Sequence, residues 1–516
     1  MIRSLDFASK DTVCALIVTS KNLYNRKARA FRKYFLNHAL IEQVFEMAPV
    51  RREIFNVSND SAIAPACILF FRDSNGCETN THRITHIALK PSRFFSIFKI
   101  FALSRRDVQM VEQGSLLEND WLWKVLVYGS YLDFVFIKRL QAFKTIGAVI
   151  HNERNGLNVG QGIKSSDGAR RINVKHLVGL AYLKTDNVCR YSAKATDQWK
   201  VGCVGYVPQN DSWYRAPYLS VREGTPNDLR AVAAINYDDA IYKSSLTSIR
   251  ASDESGLQIL KNIEGLLNSS LFAYYNLLTF SSSGIEREQT HDEEKWSVPY
   301  CSNKLVKVVE RLEDLVQKKS SVVLEDSNLE SAIKAQYLKI DNIIAKACNC
   351  SVRDLSLIDY AVNVSIPIAM RTKEFGALMR CVPCDDAMLQ EYVKVFYDRF
   401  APTFERMGKH FIVEGWYSDK ILGFRFKVVS KQASSAWFRW VLEDRKQISL
   451  MSFLIKVTSN RITRRLFIQK DVRGFDRNGF YLFKPNERRL WHRAIAYLDA
   501  EEFADAILRE GATHGQ

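Results

Sequence analysis

The stretch from residue 143 to residue 299 constrains the fold most, because glycine and proline divide it into short pieces. A glycine cluster at 156–162 opens it, a basic segment at 164–175 follows, and an extended, aromatic-rich run covers 177–191. Short runs of strand-forming residues between such breaks are typical of β-strands and turns. Cations scattered among strands are typical of a surface that grips a polyanion. We therefore predict a β-rich, anion-binding domain here, without a catalytic motif.

Composition indicates a folded protein with an anionic partner. Of the 516 residues, 47% are hydrophobic and 12% aromatic, which is enough to build several cores. The net charge of +16 favours nucleic acid as the partner, ahead of a membrane surface, and a merely basic soluble protein is the alternative. No apolar run reaches the roughly 18 residues that a transmembrane helix needs, so we expect no membrane partner. Ten dispersed cysteines favour reduced thiols and a cytoplasmic location.

The order of the short segments carries more information than any one of them. In chain order they are the glycine cluster, Arg190-Tyr191, Arg215-Ala216-Pro217, the predicted helix start Asn268-Ser269, the Ser/Gly/Glu/Arg loop 281–287 and the closing Pro299. This order resembles the target-recognition region of adenine-specific DNA methyltransferases, the type found in fused restriction-modification enzymes. The resemblance implies a domain that binds double-stranded DNA. An unrelated β-rich domain is the alternative.

The N-terminal residues extend this resemblance. A continuous apolar run at 13–18 predicts a strand buried on both faces, and 63–71 predict a second buried strand. A helix over about 20–40 carries cations on one face, which is either solvated or in contact with phosphate. In the methyltransferase family a strand, an Arg- and Phe-rich helix and a further strand follow the catalytic motif. Residues 1–72 therefore resemble the last third of a Rossmann-like methyltransferase domain.

Two elements of that family have no counterpart in this sequence. The family binds S-adenosylmethionine with a Gly-rich turn after its first strand, and an Asn/Asp-Pro-Pro-Tyr/Phe tetrapeptide holds the flipped adenine. No Pro-Pro pair occurs in the chain, and the glycine cluster at 156–162 does not follow a buried strand. The resemblance therefore implies no catalytic and no cofactor-binding residues here. It places both elements before Met1, so that the chain is a split subunit, the product of a decayed or truncated gene, or a non-catalytic homologue. S-adenosylmethionine is then used only if a separate catalytic methyltransferase chain completes the enzyme.

Two amphipathic helices follow the recognition region. Apolar residues recur at helical spacing over 304–319 and again over 329–347. The charged outer faces and the spacing near 3.5 predict an antiparallel helical pair. In the family, such helices follow the recognition domain and act as spacers.

The C-terminal region is predicted to be basic and to contain several strands and a terminal helix. Between Arg461 and Arg493 there are ten Lys/Arg and three Asp/Glu, which suits contact with a DNA backbone. A basic surface over an aromatic core is the alternative. Asp471 and Glu487 raise the further alternative of a nuclease site, although their order and spacing do not match a nuclease motif. The pair Cys381-x-x-Cys384 lacks two further ligands, so we expect no metal site.

We predict a multidomain fold of α/β plus α+β class. The expected domains are a partial methyltransferase-like Rossmann remnant with its linker (1–120), a β-rich target-recognition domain (121–300), a helical spacer (301–365) and a basic C-terminal α+β domain (366–516). The candidate DNA-binding residues are Lys164, Arg170, Arg171, Lys175, Arg190, Arg215, Arg287 and Arg473.

These patterns predict the DNA-binding specificity portion of an adenine-N6 DNA methyltransferase of a restriction-modification or phage-defence system, without catalysis of its own. One alternative is a nuclease or nucleic-acid-processing enzyme whose site lies in the C-terminal domain. The other is a non-enzymatic scaffold that recruits partners through the two amphipathic helices.

Overall fold

The computed structural model divides the chain into two compact units. Unit 1 joins Met1–Val127 to Asn363–Gln516, and unit 2 is the continuous stretch Tyr128–Val362. The residues that the structure describes are 1–8, 12–54, 64–92, 100–164, 172–207, 214–286, 289–322, 326–430, 436–441, 460–463, 466–469 and 471–514. The fold is mixed α/β, with several sheets and many helices.

The strands of the described residues are β1 (Cys14–Thr19), β2 (Ala39–Glu46), β3 (Ala66–Asp73), β4 (Arg83–Ala88), β5 (Phe101–Ser104), β6 (Val108–Glu112), β7 (Leu157–Gln161), β8 (Ile172–Asn173), β9 (Ala181–Leu183), β10 (Val188–Cys189), β11 (Ser192–Ala193), β12 (Asp197–Gln198), β13 (Cys203–Val204), β14 (Tyr218–Arg222), β15 (Ala233–Asn236), β16 (Ile241–Tyr242), β17 (Leu246–Ala251), β18 (Lys409–Tyr417), β19 (Ile421–Ser430), β20 (Phe438–Trp440), β21 (Asn460–Thr463), β22 (Leu466–Gln469), β23 (Val472–Asp476) and β24 (Gly479–Pro485). The α-helices are α1 (Ile2–Leu5), α2 (Lys21–Tyr24), α3 (Arg29–His38), α4 (Arg51–Ile54), α5 (Gln113–Glu118), α6 (Leu122–Tyr128), α7 (Tyr131–Leu140), α8 (Ile146–Ile150), α9 (Glu254–Leu267), α10 (Ser270–Thr279), α11 (Asp292–Trp296), α12 (Val306–Ser321), α13 (Ser327–Ala347), α14 (Val352–Tyr360), α15 (Ile366–Met370), α16 (Phe375–Leu378), α17 (Ala387–Arg406) and α18 (Arg493–His514).

A five-stranded sheet in the order β1-β3-β2-β4-β6 forms the N-terminal part of unit 1. β3 runs antiparallel to both β1 and β2, and β2 runs parallel to β4. One face of this sheet is closely packed. Val44, Cys67 and Leu69 are fully buried on it, and Phe35 of α3 meets Phe71 edge-on with the ring centroids 4.9 Å apart. This face supplies the hydrophobic core of the N-terminal part.

The prediction that residues 13–18 are buried on both faces is wrong. β1 is the outermost strand of the sheet, and the side chains of Val13 and Ile17 remain 56% and 73% exposed. An apolar strand is buried on both faces only where other elements cover both of them. Among the described residues, none pairs with the outer edge of β1. The second predicted strand is present as β3, which lies inside the sheet.

The C-terminal part of unit 1 is built on a second sheet, in the order β20-β18-β19-β24-β23. Its core is aromatic: Phe396 of α17 stacks on Phe426 at 4.3 Å between ring centroids, and Phe480 stacks on Phe503 of α18 at 4.5 Å. The N-terminal strand β5 pairs in parallel with β22. That pairing gives the two separated stretches of unit 1 a common three-stranded sheet with β21.

A buried cluster of charges centres on Asp499 of α18. Its side chain, which is 1% exposed, accepts hydrogen bonds from Lys484 at 2.7 Å, Tyr392 at 2.6 Å, Arg106 at 2.6 Å and Arg473 at 3.2 Å. Burial by itself raises the pKa of this carboxyl, but the neighbouring cations outweigh that effect and the pKa lies below its usual value. The cluster is therefore an anion compensated by three cations.

The variant Asp499→Asn should destabilise unit 1 by about 3–5 kcal/mol at neutral pH, because the cations would lose their buried anion. The pKa of Asp499 is lower in the folded protein than in the unfolded chain, where it is near 4. Ionised Asp499 therefore stabilises the folded protein above about pH 4, and this stabilisation is lost as the pH falls towards the folded-state pKa. The difference between the two proteins should therefore shrink on acidification. Denaturant unfolding from pH 7 down to about pH 3 measures it.

The matched control is Asp398→Asn, which removes an exposed carboxylate on α17 whose nearest ammonium, that of Lys394, lies 4.0 Å away. It should change stability by less than about 0.5 kcal/mol. Equal stability of Asp499→Asn and the unaltered chain at pH 7 would contradict the compensated cluster.

Unit 2 is centred on a four-stranded antiparallel sheet, β15-β14-β17-β7, with α9 and α10 following it in the chain. The prediction that Asn268-Ser269 opens a helix is confirmed. The hydroxyl of Ser269 accepts the amide of Phe272 at 3.2 Å as the N-cap of α10. The side chain of Asn268 donates to the carbonyl of Ala233 at 2.9 Å and accepts from its amide at 3.1 Å. The turn between the two helices is thus fixed to β15.

The helical pair predicted after the recognition region is also confirmed. α12 buries Val309 and Leu312, and α13 buries Ile340 and Ile344, while their other faces are largely exposed. The two helices pack against each other, and the apolar stripe of α12 also packs against α9, where Val309 faces Gly265.

Glu264 of α9 is a buried carboxyl for which no ion pair is present within the described part of the chain, although the charge of Lys261 partly lowers its pKa. Its side chain is 0% exposed, and burial, with the added charge of Glu313 on α12, raises its pKa well above the usual value. The hydroxyl of Tyr237 donates to Glu313 at 3.0 Å, and Lys261 pairs instead with Glu310 at 2.6 Å. The fold therefore favours the protonated form of Glu264.

The pKa of Glu264 is higher in the folded protein than in the unfolded chain, where it is near 4.3. The folded protein is therefore most stable below about pH 4.3, and its stability declines as the pH rises through the folded-state pKa of Glu264. Glu264→Gln keeps the shape of the side chain and removes the charge. This variant should therefore melt at a higher temperature than the unaltered chain at pH 8, by about 2–4 °C per kcal/mol removed. The two should converge near pH 5. Thermal scans combined with hydrogen exchange of the α9 peptides measure this.

Glu254→Gln, at the exposed start of the same helix, is the control and should show no such pH-dependent gain. Lower stability of Glu264→Gln at pH 8 would contradict a protonated Glu264.

Candidate nucleic-acid interface

Two segments of unit 2, 172–183 and 197–206, run antiparallel and form what we call the ribbon. β8 pairs with β13 at one end and β9 pairs with β12 at the other. Between them, the amide of Trp199 donates to the carbonyl of Leu180 at 2.8 Å. The two segments are therefore paired at both ends, and a 3-10 turn at Lys175–Leu177 separates the paired stretches of the first segment.

The inner face of the ribbon is part of the core of unit 2. It contributes a set of side chains that are at most 3% exposed: Val174, Leu177, Leu183, Trp199 and Val204. These pack in one cluster with Tyr218 and Tyr242 of the sheet region. The glycine cluster helps, because a Cβ at Gly162 would lie 2.5 Å from the carbonyl of Lys243. Glycine thus lets the chain enter the ribbon in close contact with that backbone.

The outer face of the ribbon combines apolar and cationic side chains, and we call it the ribbon face. Its large apolar residues are between 40% and 49% exposed: Ile172, Val178, Leu180, Val201 and Tyr206. Its basic residues are also exposed: Lys164, Lys175, His176 and Lys200. Large apolar groups beside cations on one surface are typical of a binding site.

Apart from Asp197 at the start of the second segment, the ribbon contains no acidic residue, since neither 172–183 nor 198–206 includes Asp or Glu. The adjoining Asp197 is held by Lys184 at 2.8 Å, and this hydrogen bond lowers the pKa of Asp197 and raises that of Lys184. Within the described part of the chain, Lys175 and Lys200 form no ion pair. Both ammonium groups are exposed, so an anion can reach them, although the charge of Lys200 also contributes to lowering the pKa of Asp197.

This arrangement matches what a DNA duplex offers. Lysines at a surface bind phosphates and release counterions, whereas apolar side chains contact sugars and thymine methyl groups. The major groove of B-DNA, about 12 Å wide, admits a two-stranded β-ribbon. The ribbon face has the charge for such a contact, and its two antiparallel segments are paired at both ends.

Two of the eight predicted DNA-binding residues lie on the ribbon face. Lys175 is exposed in the ribbon, and Lys164 lies just before it, with its ammonium 5.9 Å from the centre of the Tyr206 ring. The predictions for Arg170, Arg171 and Arg287 concern positions outside the described residues.

Two other candidates in unit 2 are engaged in ion pairs. The guanidinium of Arg190 binds both oxygens of Asp228 at 2.7 and 2.8 Å and donates to the carbonyl of Ala231 at 2.8 Å. Arg190 lies between the two ribbon segments in the chain, and these contacts connect that part of the chain to the loop before β15. Arg215 pairs with Asp239 at 2.7 Å, but it is 67% exposed, so the pair is weak and a phosphate can compete for it. Contact of either arginine with DNA stays a prediction.

Arg473 belongs to the charge cluster of unit 1. Its side chain is 15% exposed and contacts Asp471, Asp499 and Glu502. The alternative of a nuclease uses Asp471 and Glu487, and the latter pairs with Arg489 at 2.8 Å. Both carboxylates are thus occupied by arginine. Nothing in this geometry favours nuclease chemistry.

Sequence reasoning did not select Lys200, His176 or the exposed apolar residues of the ribbon. The signal that identifies them is the absence of acidic residues from 172–183 and 198–206, two neighbouring segments that also contain buried apolar residues. The predicted Lys175 lies in the first of these segments. Arg190 and Arg215 were chosen as cations at the positions that carry the family resemblance, and their ion-pair partners, Asp228 and Asp239, belong to other loops.

Among the described residues, no three His, Cys, Asp or Glu side chains come together in a way that could hold a metal ion. A cavity of about 400 Å³ opens beside the glycine turn, with His151, Glu153 and Asn158 in its lining. No helix in the described part of the chain has the length and hydrophobicity to cross a bilayer.

Comparison with known proteins gives little beyond this geometry. No protein-family model matches the sequence, and no curated protein matches it. Among solved structures, the chain is similar to the Type IIL restriction-modification enzyme MmeI in complex with DNA, at 11% identity and a TM-score of 0.38, over 70% of this chain and 50% of that one. It is also similar to the type IIG restriction endonuclease BpuSI, at 10% identity and a TM-score of 0.26, over 67% of this chain and 48% of that one. The chain spans about half the length of each of these two enzymes.

Proposed function

We propose that this chain is the DNA-binding specificity portion of an adenine-N6 DNA methylation system, in a restriction-modification or phage-defence locus. The observation that carries the proposal is the ribbon face, a surface of lysines and exposed apolar side chains, with Asp197 as its one acidic residue, over a buried cluster of apolar side chains. Double-stranded DNA is the polyanion whose groove fits a ribbon of this kind.

In this proposal the lysines and the apolar side chains of the ribbon face contact different parts of the duplex. Lys164, Lys175 and Lys200 bind phosphates, which position the duplex without reading its sequence. Tyr206 and the apolar residues around it contact base edges and sugars, which supply discrimination between sequences. The net charge of +16 attracts the duplex from a distance and makes binding dependent on salt.

The assignment to adenine methylation rests on the order of sequence segments, and the structure is compatible with it. The helix at Asn268-Ser269 forms where the family has one. The sheet of β1, β2 and β3, with α2 and α3 between the two parallel strands β1 and β2, supports a Rossmann-like remnant. In the proposal S-adenosylmethionine and the methyl transfer belong to a separate catalytic chain, and both chains act in the cytoplasm.

Replacing both ribbon lysines, in Lys175→Ala/Lys200→Ala, should weaken binding to every duplex and reduce the salt slope by about 2, since each phosphate contact contributes about 1. Fluorescence anisotropy with a labelled duplex between about 50 and 200 mM salt measures both quantities. The matched control is Lys318→Ala, which removes an exposed lysine from α12. If the control weakens binding as much as the double variant does, the ribbon face is not the interface.

The purified chain, mixed with labelled S-adenosylmethionine and duplex DNA, should transfer no methyl group above the level without protein. The reason is that the sequence has no Pro-Pro tetrapeptide to hold a flipped adenine. Duplex binding in the same sample shows that the protein is active. Methylation by this chain alone would contradict the assignment of catalysis to another chain, but it would not contradict DNA binding by the ribbon face.

A further inference from the structure

We infer that unit 1 carries a second contact for the phosphates of duplex DNA, on the outer side of α3, and that this contact does not depend on base sequence. The inference rests on the proposed function and extends it to a part of the chain outside the ribbon face. We call this surface the α3 face. It consists of five exposed residues: Lys27, Arg29, Lys33, Tyr34 and His38.

The first observation is the charge of the sequence around α3. Residues 12–41 contain six Lys/Arg and no Asp or Glu, and every other acid-free stretch of the chain is shorter. The cations therefore lack counter-charges close to them in the sequence. Arg29 and Lys33 are four residues apart on one face of the helix, where like charges repel each other. An anion bound at this face would relieve that repulsion.

The second observation is that the fold does not supply the missing counter-charges. Within the described part of the chain, no ion pair engages Lys27, Arg29 or Lys33. The carboxylate of Asp120, which lies against α3, is taken by Arg32, whose Nε donates to it at 2.6 Å. All three outer cations are exposed, so an anion from outside the protein can reach them.

The third observation is that the inner side of α3 is firmly held. Phe35 and Leu36 are each 3% exposed in the core of the N-terminal sheet. The guanidinium of Arg32 also donates to the carbonyls of Asn22 at 3.0 Å and Asn25 at 2.7 Å, which ties α3 to the segment before it. The backbone that carries the outer cations is therefore in place before an anion binds.

The composition of the α3 face favours a phosphate backbone over a membrane surface. A helix that lies on a bilayer buries large apolar side chains among the lipids. Residues 20–41 are all described, and the one large exposed apolar side chain among them is Tyr34, at 44%. Its ring stacks on that of His38, with the centroids 4.0 Å apart, so it is already covered on one side. A polar, cationic face of this kind suits a polyanion.

The spacing of the cations also suits a duplex. Four residues of α-helix place Arg29 and Lys33 about 6 Å apart along the helix axis. A duplex presents one negative charge about every 1.7 Å of its own axis, so each cation has a phosphate within reach. Contacts with phosphates position a duplex but carry no sequence information. The α3 face therefore adds affinity for every duplex, and discrimination between sequences stays with the ribbon face.

Duplex binding by the variant Arg29→Ala/Lys33→Ala tests the inference. Fluorescence anisotropy between about 50 and 200 mM salt, with two labelled duplexes of unrelated sequence, should show weaker binding to both and a salt slope reduced by about 2. The matched control is Arg399→Ala/Arg406→Ala, which removes two exposed cations from α17 of the same unit. Its net charge falls by the same amount, but its salt slope should stay that of the unaltered chain.

Lysine acetylation supplies the second measurement. Either duplex should protect Lys27 and Lys33 of the unaltered chain from a water-soluble acetylating reagent, whereas the exposed Lys409 should stay reactive. Vesicles that contain phosphatidylserine should give no such protection. Circular dichroism of each variant shows that it is folded.

Equal salt slopes for the α3 variant and the α17 control would overturn the inference, and so would protection by vesicles without protection by a duplex. In both cases the variant Lys175→Ala/Lys200→Ala still decides whether the ribbon face binds DNA, so the proposed function can stand when this inference fails. An unaltered chain that binds no duplex would contradict the proposed function, and this inference with it.

Discussion

The packing of the ribbon's inner face into the core of unit 2 is the constraint on which the candidate interface depends. Trp199 is 3% exposed, and its indole nitrogen donates to the carbonyl of Val201 at 2.6 Å. Because Val174, Leu177 and Val204 are held in that core, the backbone positions of the exposed residues beside them are fixed as well. The backbone that carries the lysines and apolar residues of the ribbon face is therefore in place before a ligand binds. That backbone loses little conformational entropy on binding, whereas the exposed lysine side chains still have to be ordered.

Local signals account for the parts of the fold that could be predicted from sequence. Asn268-Ser269 opens a helix because a serine at the N-cap satisfies a free amide of the first turn, whatever lies elsewhere. The pair α12 and α13 follows from an apolar stripe that needs a partner, and the next helix in the chain is the nearest one. In both cases the residues that decide the structure are close together in the sequence.

Long-range pairings account for the parts that could not be predicted. The apolar run of β1 has the composition of a buried strand, but its burial depends on neighbours that composition does not specify. The pairing of β5 with β22 joins residues 101–104 to residues 466–469. Arg473 was chosen as a cation of a basic region, yet its carboxylate partners on α18 determine that it is 15% exposed. For the same reason, the ribbon face emerged only when its two segments were found side by side.

The division of the chain into units has a consequence for how the protein is made. Unit 2 is one uninterrupted stretch, whereas unit 1 needs both ends of the polypeptide. During synthesis on the ribosome, unit 2 is complete once residue 362 has emerged, and it can fold as an autonomous body. The sheet of β1, β3, β2, β4 and β6 has all its strands within the first 112 residues, but β5 stays unpaired until β22 is translated. A nascent chain of this protein therefore holds a complete unit 2 while unit 1 still lacks its second half.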